Sequence, residues 1–576
     1  MFVAINAKYI HSNLAVRYLK RYAAPALENP PQMLECTINH RADWILEEIF
    51  RCAPDVVLFS TYLWNVTLVC QLAAEYRKLH PEAVIGVGGP QVSYESAAFL
   101  AQNPALDLVI RGEGEQAVRQ LLEAIQARQD WRSLLGLTVR DGSQIRENPP
   151  QPPLDLALLP FPYEPDFSDA PDQIKYYESS RGCPFQCQYC LSSIERGVRN
   201  VPLERVFADL TIFLNAKVRQ VKFVDRTFNC DIRRAIAIWR FLRDHDNGVT
   251  NFHFEITAEL LTRDALDFLG TIRPEQFQFE IGVQSTNPRT LQAVRRQNDW
   301  PALCAIVREI KSFRNIHQHL DLIAGLPYEN YDSFHRSFND VYALEPEQLQ
   351  LGFLKILKGS GLYRDQEKYG LVYRDYPPFE ILFTPALPFQ DALRLKAVEE
   401  MVELYYNSGR FVHALRWLFS ILDDPFAFYQ ALGERYVAQQ YPARGMTLDQ
   451  RYAFFYQFCA QIPSVDAGQL AEYLKLDYCL HQRPKRRQEW FGSACAPVSR
   501  QQCLALLAQP SFRERYLPGD ETADPKQLYK LLDFESFCLD VLTGEAKPVV
   551  LLLDYRRRDL LGNALALPVV LPADSD

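Results

Sequence analysis

An excess of positive charge is the first thing this sequence lacks. Lysine and arginine number 62 against 71 aspartates and glutamates, a net charge of −9, so a general affinity for phosphate backbones is not expected and nucleic acid is not an expected partner. No stretch approaches the roughly eighteen uninterrupted apolar residues of a membrane helix. The opening MFVAINAKYIHSNLAV also lacks a basic leader followed by an apolar run and a small-residue cleavage site. These absences together predict a soluble, cytoplasmic protein with no membrane partner. The 13 cysteines lack the dense, even framework of a small secreted domain, which predicts reduced thiols and makes any tight group of them a metal candidate. Short-period repeats and low-complexity tracts are missing as well.

What is present suffices for several domains: 576 residues, 48% hydrophobic and 12% aromatic, rule out wholesale disorder. Up to about residue 145, short apolar runs (FVAIN, DVVLFST, VIGVGGP, DLVIRGEGE) alternate with amphipathic stretches, the rhythm of βα units on a parallel sheet. Residues 146–172 include ENPPQPPLDLALLPFPYEP, whose prolines suit a semi-rigid linker. A second βα series fills 173–376, with candidate strands at 175–180, 221–225, 252–257, 277–284, 320–324 and 349–356, enough for a partial six-stranded barrel. The remainder, 377–576, turns to long aromatic-rich helical stretches and ends in VVLLLDY, which predicts a mostly helical third domain. Its aromatic clusters read as core. Cys459, Cys479, Cys495 and Cys503 are spaced too irregularly for a metal site and read as structural thiols, and the basic run 483–487 reads as a solvated face.

One tight cysteine group exists. ESSRGCPFQCQYCLSS spaces Cys183, Cys187 and Cys190 as C-x3-C-x2-C, directly after a candidate strand. Three thiolates hold three corners of an iron–sulfur cubane and leave one iron open, unlike the four-cysteine ligation of electron-transfer clusters. The alternatives are a zinc site, for which no fourth ligand stands in the segment, or three unconnected core thiols.

This segment strongly resembles the radical S-adenosylmethionine (SAM) superfamily, in which the methionine amino and carboxylate groups of SAM chelate the open iron of a [4Fe-4S] cluster. The resemblance extends over about 175–376 and implies the following SAM contacts. Tyr189 would pack against adenine, and Asp225 of KFVDRTFN would meet the amino group, although the common Gly-Gly-Glu form is absent there. In FEIGVQSTNPRTLQAVRR, Glu280, Gln284 and Ser285 would lie beside the ribose and Arg296 would pair with the carboxylate, a geometry that suits a planar guanidinium. Gly325 and Pro327 of DLIAGLPYEN would approach adenine. Each of these also has a plain reading as a strand-end residue with a structural partner.

Residues 1 to about 130 resemble the Rossmann-like cobalamin-binding domain found ahead of some radical SAM barrels. Ser60, the pair Gly88 and Gly89, and the run Gly112, Glu113, Gly114, Glu115 stand where the cofactor's nucleotide tail would enter a crevice at the strand ends. His11 lacks the Asp and Gly of the D-x-H-x-x-G cobalt-ligand motif, since the chain reads YIHSNL. A capping or solvent-facing role is therefore expected for it in place of cobalt ligation. The rival reading is a degenerate nucleotide-type fold that binds nothing.

The expected fold class is thus α/β: a cobalamin-binding Rossmann-like domain, a partial (β/α)6 radical SAM barrel and a mostly helical C-terminal domain resembling an extension found in one branch of such proteins. The resemblance implies an enzyme whose cofactors are a [4Fe-4S] cluster, SAM and cobalamin, and whose partners are an electron donor such as flavodoxin or ferredoxin and an unknown substrate. Methylation of an unactivated carbon is the leading expectation. The alternatives are cobalamin-assisted oxidation, cyclisation or rearrangement, a tRNA methylthiotransferase-like activity, and a non-catalytic cobalamin sensor. No catalytic residue is assigned.

Overall fold

The computed structural model describes residues 1–168, 170, 172–194, 197–484, 488–491, 495–558 and 562–570. The end of the basic run, 485–487, lies outside the described residues. The chain forms two compact units, Met1–Ser337 with Leu351–Ala392, and Phe338–Gln350 with Leu393–Asp576.

The first unit opens with a seven-stranded sheet: β1 (Phe2–Asn6), β2 (Met33–Thr37), β3 (Val56–Ser60), β4 (Val84–Gly88), β5 (Leu108–Ile110), β6 (Leu137–Asp141) and β7 (Gln144–Glu147), in the order β2-β1-β3-β4-β5-β6-β7. Pairing is parallel through β5, as the βα rhythm predicted. The last two strands add an antiparallel hairpin. Helices α1 (Leu14–Ala23), α2 (Ala42–Cys52), α3 (Val66–Leu79), α4 (Ser96–Gln102) and α5 (Glu115–Gln126) cover both faces. Ile45, Val69 and Leu100 of α2, α3 and α4 pack on one side, and Val16 and Val118 of α1 and α5 on the other. All five residues of β1 and of β3 are therefore buried, which explains their uninterrupted apolar text. The strand order reverses between β1 and β3, which opens a crevice at their carboxyl ends. The proline-rich stretch from Asn148 has one short 3-10 turn, Leu156–Leu158, among its described residues.

Next come β8 (Lys175–Tyr177), β9 (Ser180–Cys183), β10 (Gly197–Asn200), β11 (Gln220–Phe223), β12 (Asn251–Ile256), β13 (Phe277–Gln284), β14 (Ile316–Ala324) and β15 (Gln348–Phe353). Six of them form one sheet in sequence order, β15-β14-β13-β12-β11-β8. The pairs from β8 to β14 are parallel. The first expected strand, 175–180, is instead two: it breaks after Tyr177, and β9 pairs antiparallel with β10 as a separate hairpin around the cysteines. Along β13, Phe277, Phe279, Ile281 and Val283 are buried while Gln278, Glu280 and Gly282 take the opposite face. The apolar face packs on helices, with Trp239 of the helix Ile232–Asp244 against Phe254 and Phe279. The polar face is left to line the interior. A short antiparallel pair, β16 (Val372–Tyr373) and β17 (Ile381–Phe383), follows.

The second unit is mostly helical, with Tyr405, Tyr429 and Tyr452 fully buried, so its aromatics are core. It also contains a three-stranded antiparallel sheet absent from the sequence expectation: β18 (Leu532–Phe537), β19 (Val549–Arg558) and β20 (Ala564–Val569). VVLLLDY forms the central strand, and its run from Leu551 to Asp554 is buried because both faces are covered. Cys495 is a second correction. It is bonded to Cys538 and is not a free thiol. No helix among the described residues is long and apolar enough to cross a membrane.

Candidate functional site

Cys183 ends β9, and Cys187 and Cys190 follow on the loop that β10 closes. All three are free thiols. Gly182 has φ +100°, and a Cβ there would stand 2.2 Å from Gly197 O, so only glycine permits this tight hairpin. The loop is tied down at several points. Ser193 Oγ donates to the carbonyls of Cys187 and Cys190 at 2.9 and 2.7 Å. Gln188 N donates to Val294 O at 2.9 Å, and Leu362 N to Gln188 O at 2.8 Å.

Arg296 reaches this loop from beyond β13. Its Nη1 lies 3.4 Å from Tyr189 OH and 3.9 Å from Cys187 Sγ, and its Nη2 donates to Gly282 O. Arg296 Nε and the neighbouring Gln284 Oε1 are buried without hydrogen-bond partners. An open cavity of about 600 Å³ lies at this strand-end rim, bordered by Phe185, Thr257, Thr286, Arg296, Asn298 and Trp300.

The other residues expected at SAM already have partners within the chain. Both carboxyl oxygens of Asp225 are occupied, by Ser179 N at 2.9 Å and the Ser179 and Ser180 hydroxyls at 2.6 Å each. Burial, opposed by these bonds, pushes its carboxyl up to about 6. Ser285 donates to Glu329 Oε1 at 2.8 Å and is almost fully buried. A Cβ on Gly325, at φ +87°, would stand 2.6 Å from Ile381 Cγ2, so the close approach there is by the protein itself. Pro327 is buried in the same turn.

Glu280 belongs to an interior network that sequence reasoning missed. It accepts from His253 Nε2 at 2.9 Å and Lys222 Nζ at 3.2 Å. Burial would raise its carboxyl, but the His253 bond and the Lys222 charge prevail and hold it at about 2. Glu255 shares that face, and burial, opposed by the Arg226 charge, pushes it up to about 7. His319 and Asp321 stand 3.0 Å apart on β14. The signal was available in HFE, QFE and HLD, where polar residues alternate with apolar ones along a strand.

At the carboxyl ends of the first sheet, Ser60 Oγ accepts from Asn13 Nδ2 at 3.2 Å. Gly88 ends β4 and Gly89 turns the chain out of it. A Cβ on Gly89, at φ +116°, would meet Thr61 O at 2.6 Å. Gly112, at φ +68°, faces open space. Gly114 precedes α5. Glu113 and Glu115 do not face an open crevice: they are ion-paired to Arg199 and Arg181 of the cysteine hairpin. His11 does not cap a helix and stays partly exposed. Its Nδ1 shares a 2.7 Å hydrogen bond with Tyr176 OH on the polar face of β8, and Asn13 caps α1 instead.

Residues 1–122 match the family described as B12 binding domain, and residues 177–341 the Radical SAM superfamily. The chain thus carries a B12 binding domain followed by a radical SAM domain. Residues 367–552 match a third family, described as Protein of unknown function (DUF4080). Among similar proteins, the 2-(S-pantetheinyl)-carbapenam-3-carboxylate methyltransferase of Streptantibioticus cattleyicolor is 26% identical over 60% of the chain and 54% of its own length. The cobalamin-dependent radical SAM methyltransferase TokK of Streptomyces tokunonensis is 26% identical over 69% and 61%. The hopanoid C-3 methylase of Methylococcus capsulatus is 28% identical over 46% and 52%. The chain thus spans half to three fifths of the length of these relatives. The fold resembles that of the cobalamin-dependent SAM radical enzyme OxsB with aqua-cobalamin bound: TM-score 0.58, 15% identity, 83% of this chain and 79% of the other. The methyltransferase TsrM from Kitasatospora setae, with tryptophan and a SAM analogue bound, aligns with TM-score 0.54 and 17% identity over 66% and 79%.

A radical SAM domain takes a [4Fe-4S] cluster and SAM and a B12 binding domain takes cobalamin, and the residues present fit them. Three free thiols share one loop, a cation stands at Cys187, and the buried, unpartnered Arg296 Nε and Gln284 Oε1 offer a donor and an acceptor beside it. In the first sheet the loops after β1 and β3, at the strand-order reversal, expose the apolar side chains Tyr9, Ile10 and Trp64, which suit a large, partly apolar ligand.

Proposed function

We propose that this protein cleaves SAM reductively and transfers a methyl group to an unactivated carbon with the help of cobalamin. The observation that carries the reading is a loop of three free cysteines with Arg296 reaching Cys187 while its Nε is buried and unpartnered, at the edge of the cavity. Methyl transfer in particular is supported by the relatives above, three of which are methyltransferases or methylases.

In this reading Cys183, Cys187 and Cys190 hold the cluster. Arg296 pairs with the SAM carboxylate, Gln284 accepts a hydrogen bond from the same ligand, and Tyr189 lends its ring. Asp225, Ser285 and Gly325 shape the site from behind through Ser179, Glu329 and Ile381. Bound there, the cluster supplies the electron that breaks a carbon–sulfur bond of SAM, and cobalamin supplies a methyl carrier. The chain itself orients SAM and shields the reacting atoms from water. Domain limits of 1–145, 146–172, 173–376 and 377–576, a cytoplasmic setting and an electron donor such as flavodoxin or ferredoxin belong to the same reading.

The test is anaerobic reconstitution followed by incubation with cell extract and methyl-labelled SAM. Release of 5′-deoxyadenosine together with a product heavier by a methylene equivalent is expected. Deoxyadenosine with an unlabelled, oxidised or rearranged product would replace methyl transfer by other radical chemistry.

A further inference from the structure

Glu113 lies in the loop between β5 and α5 and Glu115 opens α5, at the carboxyl end of the first sheet. Glu115 Oε1 accepts from Arg181 Nη2 at 2.8 Å, and Glu113 Oε2 stands 3.4 Å from Arg181 Nη1. Arg199 Nη2 donates to Glu113 Oε1, and Arg199 Nη1 to Leu154 O at 2.6 Å. Glu113 Oε2 also accepts from Leu154 N at 3.0 Å. Arg181 is steadied from within its own strand segment by Glu178 at 2.7 Å.

Arg181 and Arg199 are direct register partners across β9 and β10, so both project from the same side of the hairpin. Cys183 lies two residues beyond Arg181, opposite Gly197. The junction of this loop with α5 therefore grips both strands that bracket the cysteines. The side chains of Glu115, Glu113 and Arg181 are only 7%, 13% and 17% exposed. Pairs so shielded from water are stronger than surface pairs, and losing one partner leaves a charge uncompensated. A forked guanidinium also fixes direction as well as distance.

We propose that this clamp of two glutamates and two arginines is a positioning device, holding the cysteine loop at a set distance and orientation from the cofactor face of the first sheet. Glu113 and Glu115 are then positioning residues and not cobalamin contacts. The inference rests on the proposed function, which places cobalamin on that face and the cluster on that loop. Chemistry shared between two bound groups needs their separation held tightly, and a clamp on both strands of the hairpin supplies that.

Two measurements on the full chain test it. The first is amide hydrogen exchange without cofactors, comparing the parent, a Glu113→Gln/Glu115→Gln double variant, an Arg181→Lys/Arg199→Lys double variant and Glu95→Gln. Glu95 serves as a control because it joins the first sheet's side to Lys358 and Tyr363 and pairs with no residue of β9 or β10. Exchange at 180–183 and 197–200 should accelerate roughly tenfold in both clamp variants and stay at the parent rate in the control. The second is electron paramagnetic resonance of protein carrying both cob(II)alamin and the reduced cluster. The parent should show a defined spin–spin splitting, which both clamp variants broaden or lose while retaining both cofactors.

Unchanged exchange and an unchanged splitting would overturn the proposal. So would loss of cobalamin alone from the glutamine variant with its cluster intact, which would make the two glutamates cofactor contacts. A parent that takes up no cobalamin or no cluster would instead bring down the proposed function, and this inference with it.

Discussion

Arg296 Nη1 stands 3.4 Å from the hydroxyl of Tyr189, a residue 107 positions earlier in the chain. The contact joins the segment after β13 to the cysteine loop, and it leaves Arg296 Nε buried and unpartnered. A guanidinium with one face satisfied and one donor free is prepared for an anionic group. Replacing Arg296 by Lys keeps the charge and removes the fork. The variant should retain its cluster while SAM affinity falls roughly tenfold to a hundredfold, the loss of a charge-assisted bond of about 1.5–3 kcal/mol. Binding titrations on fully clustered samples measure this; parent-like affinity in both Arg296→Lys and Arg296→Ala would make the residue purely structural.

The cysteine triad makes a simpler demand. Cys183→Ala, Cys187→Ala and Cys190→Ala should each abolish reductive SAM cleavage, because each removes one corner of the ligand set. Iron and sulfide analysis with a deoxyadenosine assay decides it. Wild-type cleavage by all three variants would end the cluster assignment.

His11 is held by Tyr176, and the residues that would orient its imidazole toward cobalt are missing from YIHSNL. Substitution by Ala should leave the optical spectrum of bound cobalamin essentially unchanged. Nitrogen from His11 detected on cobalt by spectroscopy of isotopically labelled protein would contradict this.

Glu329 carries a pH signature. Burial, opposed by hydrogen bonds from Ser285, Ser337 and Ser333, pushes its carboxyl up to about 7. The folded protein therefore keeps a proton that the unfolded chain releases above its ordinary value near 4.5. Stability from this group is whole below that value and is lost as pH rises through about 7. Glu329→Gln should remove this dependence and raise stability at pH 8 relative to pH 5, by roughly 2–4 kcal/mol. Thermal melts at the two pH values are the measurement, and a parallel pH dependence in parent and variant would refute the assignment.

Much of the architecture was legible from the chain because it is local information. C-x3-C-x2-C marked the three thiols, and alternating strand and helix text marked the parallel strands, down to the exact span of β13. The aromatic stretches after residue 376 were legible as core for the same reason. Less legible was the break after Tyr177, since an apolar or polar run does not say where one sheet ends and another begins. The sheet β18 to β20 is not legible in the sequence because a short apolar run fits a buried strand and a buried helix equally well.

What the sequence by itself determined was which residue types stand at which strand ends, and that is a statement about spacing. Only the tertiary structure decided what those side chains touch. Asp225 is spent on Ser179 and Ser180, Ser285 on Glu329, and the space beside Gly325 on Ile381. Glu113 and Glu115, expected at a cofactor, bind the arginines that flank the cysteines. The physical reason is common to all of them. A buried polar group must find a partner, and the nearest one is set by how sheets and hairpins meet in space, which no spacing along the chain specifies.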